Sequence, residues 1–168
     1  YSDVPFHHVM AAALDHLVAW VKDGTAPPTA PPIDVTSAGP PAVIARDTNG
    51  NSSGGGIRLA GLAVPIAVNT GQNTGPGFCR LYGSHVDFDQ PKLASLYPTH
   101  AAYVKAVRGV TEANVKAGYI LRLDAEAQLT LSRAKRACNE ARVQAKYLYA
   151  VGGSQEVFDI AARVRPAE

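Results

Sequence analysis

Two adjacent histidines, His7 and His8, stand on a short turn that runs straight into an apolar stretch. A histidine held by its backbone at such a turn and aimed at a pocket is suited to general-base work, because its proton affinity lies near neutrality. The competing reading is that one ring packs in the core and the other meets solvent. His16 lies eight positions beyond His8, about 12 Å by helical rise, so the two cannot share one metal. It reads as a partly buried helix residue, and His100, just after Pro98-Thr99, as a packing or capping residue. His85-x-Asp87-x-Asp89 places three metal-type side chains on one face of a strand. Their spacing of about 7 Å per pair is too wide for a single ion without a bend, and Asp89 is better used as a helix cap. The loop from Asn69 to Gly77 could bind a polar ligand through its backbone N–H groups, or be a surface loop with its own hydrogen-bond network. The pattern G-x-S-x-G occurs once, at Gly50 to Gly54, inside a turn and glycine run rather than at a strand-to-helix turn, so it is not read as a nucleophile elbow; H-E-x-x-H and C-x-x-C do not occur. No G-x-G-x-x-G follows a strand and opens a helix, and no cofactor is expected.

The element that must position His7 and His8 is the helix after them, expected from about His7 to Lys22 and ended by Asp23-Gly24. Val9, Ala13, Leu17 and Trp20, with Met10, Leu14, Val18 and Val21, form an apolar stripe wide enough to face a large core. With no strand before it to lie against, this helix leads us to read Tyr1 as an internal point of a longer polypeptide. The repeated prolines of TAPPTAPPI hold an extended, stiff surface connection.

Residues 42–46 read as a strand, Asp47 to Asn51 as a turn and Ser52 to Gly56 as a flexible glycine run. Ile57 to Leu59 is then the expected return strand of a β-hairpin. Leu62 to Val68 is a short apolar segment in which Pro65 favours an edge or first-strand position. Val86 to Asp89 closes the β-rich part. Asp89, with Pro91 in the first turn, starts a short helix to Tyr97, and Thr99 caps a second through Ala117 to Gly118. Asp124 is expected to cap a long helix from Ala125 to about Ala150. Its seam, Ala127, Leu131, Ala134, Cys138, Ala141, Ala145 and Leu148, is spaced alternately four and three residues apart. A short helical turn is expected around Val157 to Arg163. The segmentation is a last core helix over 1–24, a Pro-rich connection over 25–41, a β-hairpin and Gly-rich loops over 42–89, and a helical region over 90–168.

With 46% hydrophobic and 18% charged residues the chain is globular rather than disordered. The net charge of +2 argues against nucleic acid as a partner. The basic excess sits in residues 101–168 and reads as a solvated helical surface. No run approaches the roughly 20 apolar residues of a membrane span. Cys79 and Cys138 suit either a disulfide in an oxidising compartment, secreted or cell-envelope, or two buried thiols.

Several stretches, in order, look like one family. HHVMAAALDHLVAWVKDGTAPP resembles the segment of bacterial alpha/beta hydrolase domain-containing proteins in which an apolar helix ends in W-V-x-D-G-T-x-P-P. ARDTNGNSSGGGIRL resembles their R-D-x-x-G-N-x-x-G-G-I-R-L, and GFCRLYGSHVDFD their cysteine-containing stretch ending G-S-x-x-x-F-D. LASLYPTHAAYVKAV resembles L-x-x-L-Y-P-T-H-x-x-Y-V, so that the likeness covers about residues 5–124. It implies the C-terminal portion of an α/β-hydrolase-like fold, with this chain itself α+β: a β-hairpin layer followed by helices. It also implies serine-hydrolase or esterase-like chemistry for the whole protein, with nucleophile and acid in an N-terminal portion that would be this chain's partner and a small ester as substrate. His7 and His8 sit where the histidine of the fold stands, just before the final helix, although the family also carries a histidine further upstream. The alternatives are a structural or partner-binding subunit that docks through the apolar helix and the small-residue seam, or a carbohydrate- or metabolite-binding domain that uses the 69–77 loop.

Overall fold

The computed structural model describes residues 2–72, 77 and 81–133. The chain divides into two compact units, Tyr1–Leu129 and Thr130–Glu168, and the architecture below is that of the first. Helix α1, His7–Asp23, ends where Gly24 turns left-handed at φ 71° and its N–H reaches back to the Trp20 carbonyl at 3.0 Å. Lys22 in the last turn complements the carbonyl end of the helix dipole.

The side of α1 that docks is not the broad apolar stripe. The buried residues are His8 and Ala12, and His16 is tied by Nε2 to the Gly118 carbonyl at 2.7 Å. Met10, Leu14, Leu17, Val18, Trp20 and Val21 are half or more exposed. Ala12, at 1% exposure, lies on the docked side. The expected core face of α1 is therefore uncovered among the described residues.

After α1 the proline-rich segment runs exposed, held where the Tyr119 hydroxyl donates to the Thr29 carbonyl at 2.9 Å. It leads into β1, Val35–Ser37, which pairs antiparallel with β2, Val43–Ile44. This corrects the expected hairpin, because β2 pairs with the segment before it and Ile57 to Leu59 form no strand. The turn itself is as expected: Asp47 Oδ1 accepts from the N–H groups of Asn49 and Asn51, and Arg46 bridges Ser52. The chain then returns to residues 31–34. The Asp34 N–H donates to the Gly54 carbonyl at 3.1 Å, and the Gly56 N–H to the Pro31 carbonyl at 2.7 Å. The glycine run is thus packing material. A Cβ on Gly55 would lie 1.8 Å from the Pro32 carbonyl oxygen.

The short apolar segment from Leu62 to Val68 divides at Pro65. Helix α2, Ala60–Ala63, precedes it, and β3, Ala67–Thr70, follows and pairs antiparallel with β4, Ser84–Asp87. Helix α3, Gln90–Leu96, begins where Asp89 Oδ1 accepts from the Lys92 N–H at 2.9 Å. Helix α4, His100–Lys116, begins where Thr99 Oγ1 accepts from the Ala102 N–H at 3.1 Å. Each cap contributes about 1 kcal/mol. Helix α5 occupies residues 122–133 and opens with the Ala125 N–H on the Leu121 carbonyl. Asp124 accordingly lies in its first turn and is not its cap. Ala125 and Leu129 are buried and Ala127 is exposed, so the docking stripe is offset from the expected seam. The rest of that seam, the turn at Val157 to Arg163 and the Cys79–Cys138 pair fall outside the described residues.

Two apolar clusters hold the unit. One is Ala60, Val64, Val107 and Leu129, packed by Tyr97 and Tyr103 among others. The other is Leu59, Ile120 and Ala125, flanked by Val4, Val9, Ile57 and Val115. Each Val, Leu or Ile buried here contributes roughly 1.5–3 kcal/mol. Among the described residues no helix is long and apolar enough to cross a membrane.

Candidate functional site

The two histidines separate at once. Turn residue Phe6 leads α1 in, and helical rotation then sends His8 into the interior and leaves His7 exposed. Their rings touch edge to face, with centroids 4.3 Å apart. His8 keeps 6% of its surface, and its Nε2 stands 3.9 Å from Oδ1 of Asp124 in the first turn of α5. That separation is too long for a hydrogen bond. Among the described residues, His8 Nδ1 and Asp124 Oδ2 are both buried without a hydrogen-bond partner.

Burial pushes the proton affinity of His8 below the usual histidine value; the Asp124 carboxylate opposes that shift and His7 reinforces it. Desolvation wins, so His8 is neutral at neutral pH. A neutral imidazole is the form a general base needs. However, among the described residues neither His7 nor His8 is hydrogen-bonded to a hydroxyl or thiol, and His8 is closed to solvent. Of the two, His7 is the ring a ligand can reach.

The His85-x-Asp87-x-Asp89 motif resolves into two unrelated jobs. Asp89 caps α3. His85 Nε2 contacts Asp87 Oδ1 at 3.0 Å and its Nδ1 contacts Asn69 Oδ1 at 2.9 Å. Both ring nitrogens are therefore committed to acceptors. Asn69 Oδ1 also accepts from the Asp3 N–H at 3.1 Å, which fixes the orientation of the amide. Behind it, fully buried Asn51 accepts from the Asn69 N–H at 2.7 Å and donates to the Ala67 carbonyl at 3.1 Å. This network pins β3 to the 47–51 turn. It accounts for Asn69, the first residue of the loop read as a ligand cradle; residues 73–76 of that loop are outside the described set. Among the described residues no three His, Cys, Asp or Glu side chains form a group able to hold a metal ion.

Sequence reasoning assigned Asp124 to a helix cap and missed its approach to His8. Residues 116 positions apart give no local signal of contact. Asn51 and Asn69 read as turn and loop residues for the same reason.

The arrangement is α+β in its own right, with helices over two small antiparallel sheets. The family model for the alpha/beta hydrolase domain matches residues 1–130. That span is most of the chain, and the chain belongs to this family. Among curated proteins and solved structures no significant match was found.

Proposed function

We propose that this chain serves as the C-terminal part, or a processed chain, of a carboxylic-ester hydrolase of the α/β class. Its partner is the portion that holds the nucleophile and acid, and helix α1 packs on that portion. The observation that carries the reading is the face of α1: six large apolar side chains from Met10 to Val21 stand uncovered inside the family-matched span. Contiguous apolar surface of this kind signals an interface. In the assembled protein a serine attacks the ester carbonyl and a histidine takes the hydroxyl proton. That proton then leaves with the departing alkoxide as an alcohol, while backbone N–H groups hold the oxyanion. His7 is the group in this chain that reaches toward such a site, and His8 anchors the turn that presents it.

The 168-residue chain is expected to be inert alone, since its G-x-S-x-G match, Gly50 to Gly54, lies in the turn and glycine run after β2 and not on a strand-to-helix elbow. Incubation with p-nitrophenyl acetate should give no release above buffer, and a fluorophosphonate probe should leave its intact mass unchanged. Saturable turnover that disappears in His7→Gln would overturn this reading. A second reading, a non-catalytic docking subunit, draws on the closed surroundings of His8. It predicts that the bound partner also fails to react with the probe.

A further inference from the structure

We infer that the buried His8 ring is an acid-opened clasp between the first turn of α1 and the first turn of α5, with the Asp124 carboxylate facing it as a counter-charge that moderates the opening. Helix α1 is held to the rest of the unit on one narrow side, where His8 and Ala12 are buried and His16 binds the Gly118 carbonyl. At the head of that side the imidazole and the carboxylate face each other at 3.9 Å, with side-chain exposures of 7% and 26%. Their remaining polar atoms, His8 Nδ1 and Asp124 Oδ2, have no hydrogen-bond partner among the described residues. Val9 and Ala125, the residues that follow each of them, belong to one apolar cluster, so the pair sits at the rim of a dry region.

The titratable groups acting on His8 are Asp124 from α5 and His7 from α1. A proton on His8 would place a charge in this rim, opposed by its desolvation and by His7 and offset only by Asp124. Once α1 detaches, the ring is in water and takes a proton at its ordinary value, near 6.5. The detached state thus binds more protons than the docked one over the window that opens below 6.5 and extends down to the lowered value of the docked ring. In that window docking is lost as pH falls; above it docking is at full strength and insensitive to pH. One proton changes the docked-to-detached ratio by at most about tenfold per pH unit. The clasp governs α1 whatever occupies its apolar face, so it stands apart from the hydrolase reading.

The test is hydrogen exchange of the intact chain, read by peptide mass at about pH 7.5 and about pH 5.5 and corrected for intrinsic exchange. Wild type should lose protection severalfold, up to about tenfold, in α1 peptides at the lower pH, while α4 peptides hold theirs. His8→Gln should show no such acid-dependent loss. Asp124→Asn, which removes the offsetting carboxylate, should show a larger loss than wild type. An equal loss in His8→Gln, an unchanged α1 in wild type, or a loss spread evenly over α4 would each overturn the clasp.

Discussion

Gly55→Ala is expected to unfold the chain at a markedly lower urea concentration, with a cost of about 3 kcal/mol or more. Two separate penalties meet at this position. The backbone stands at φ 66°, in the left-handed region, where an L side chain costs about 1 kcal/mol. The new Cβ would also lie 1.8 Å from the Pro32 carbonyl oxygen and 2.9 Å from the Asp34 nitrogen. Those are backbone atoms, and they cannot swing aside as a flexible side chain would. Asp34 is held by its bond to Gly54, and Pro31 by its bond from Gly56. Gly24→Ala is the matched control. It shares the left-handed conformation at φ 71° but meets nothing within 4 Å, so it should cost only about 1 kcal/mol. Equal urea midpoints for the two variants would show that the glycine run is not packed against residues 32–34.

Asn51→Ala is expected to cost about 2–4 kcal/mol, read as a fall in thermal midpoint and in urea midpoint. The side chain is fully buried and satisfies two backbone groups, the Asn69 N–H and the Ala67 carbonyl. Truncation leaves both without their partner and opens a cavity. Asn51→Asp separates these effects. It keeps the volume but turns a carboxylate oxygen toward the Ala67 carbonyl, in a site closed to water. Burial raises the proton affinity of such a carboxyl in the folded state above its unfolded value. The folded chain then binds the extra proton, so the variant should regain stability as pH falls toward the carboxyl range. Asn51→Ala has no such group and should not. A mild, pH-independent effect of Asn51→Asp would contradict the two-bond account of this residue.

Local chemistry was legible in the sequence and partnership was not. The ends of α1, α3 and α4 follow from Gly24, Asp89, Thr99 and Gly118, each of which acts within its own turn. The Asp47 turn was readable for the same reason. The strand at Val43–Ile44 was found, but its partner was not, because Ile57–Leu59 is the more apolar candidate by composition while Val35–Ser37 carries two polar residues, and the packing of the glycines at 54–56 against residues 31–34 decides. Periodicity showed that α1 is apolar along one stripe. It did not show that the helix would dock here through His8 and Ala12, because which side is covered depends on elements distant in the sequence. The same limit hid the site. His7 and His8 stood out by type and position. Asp124, which defines what His8 can do, stood in a different helix and looked like a cap.

The central claim is that α1 docks through its exposed face onto the portion of a hydrolase that carries the nucleophile. Native mass measurement of the chain as it is isolated from its own cells, with and without fluorophosphonate treatment, tests it most directly. The account predicts a complex in which the 168-residue chain is unlabelled and its companion polypeptide takes one probe adduct on a G-x-S-x-G serine. It also predicts that Leu17→Glu together with Trp20→Glu, on the uncovered face of α1, releases that companion while the chain stays folded. A chain that is monomeric and unaccompanied at native concentration, or a companion that stays bound to the doubly substituted chain, would contradict it.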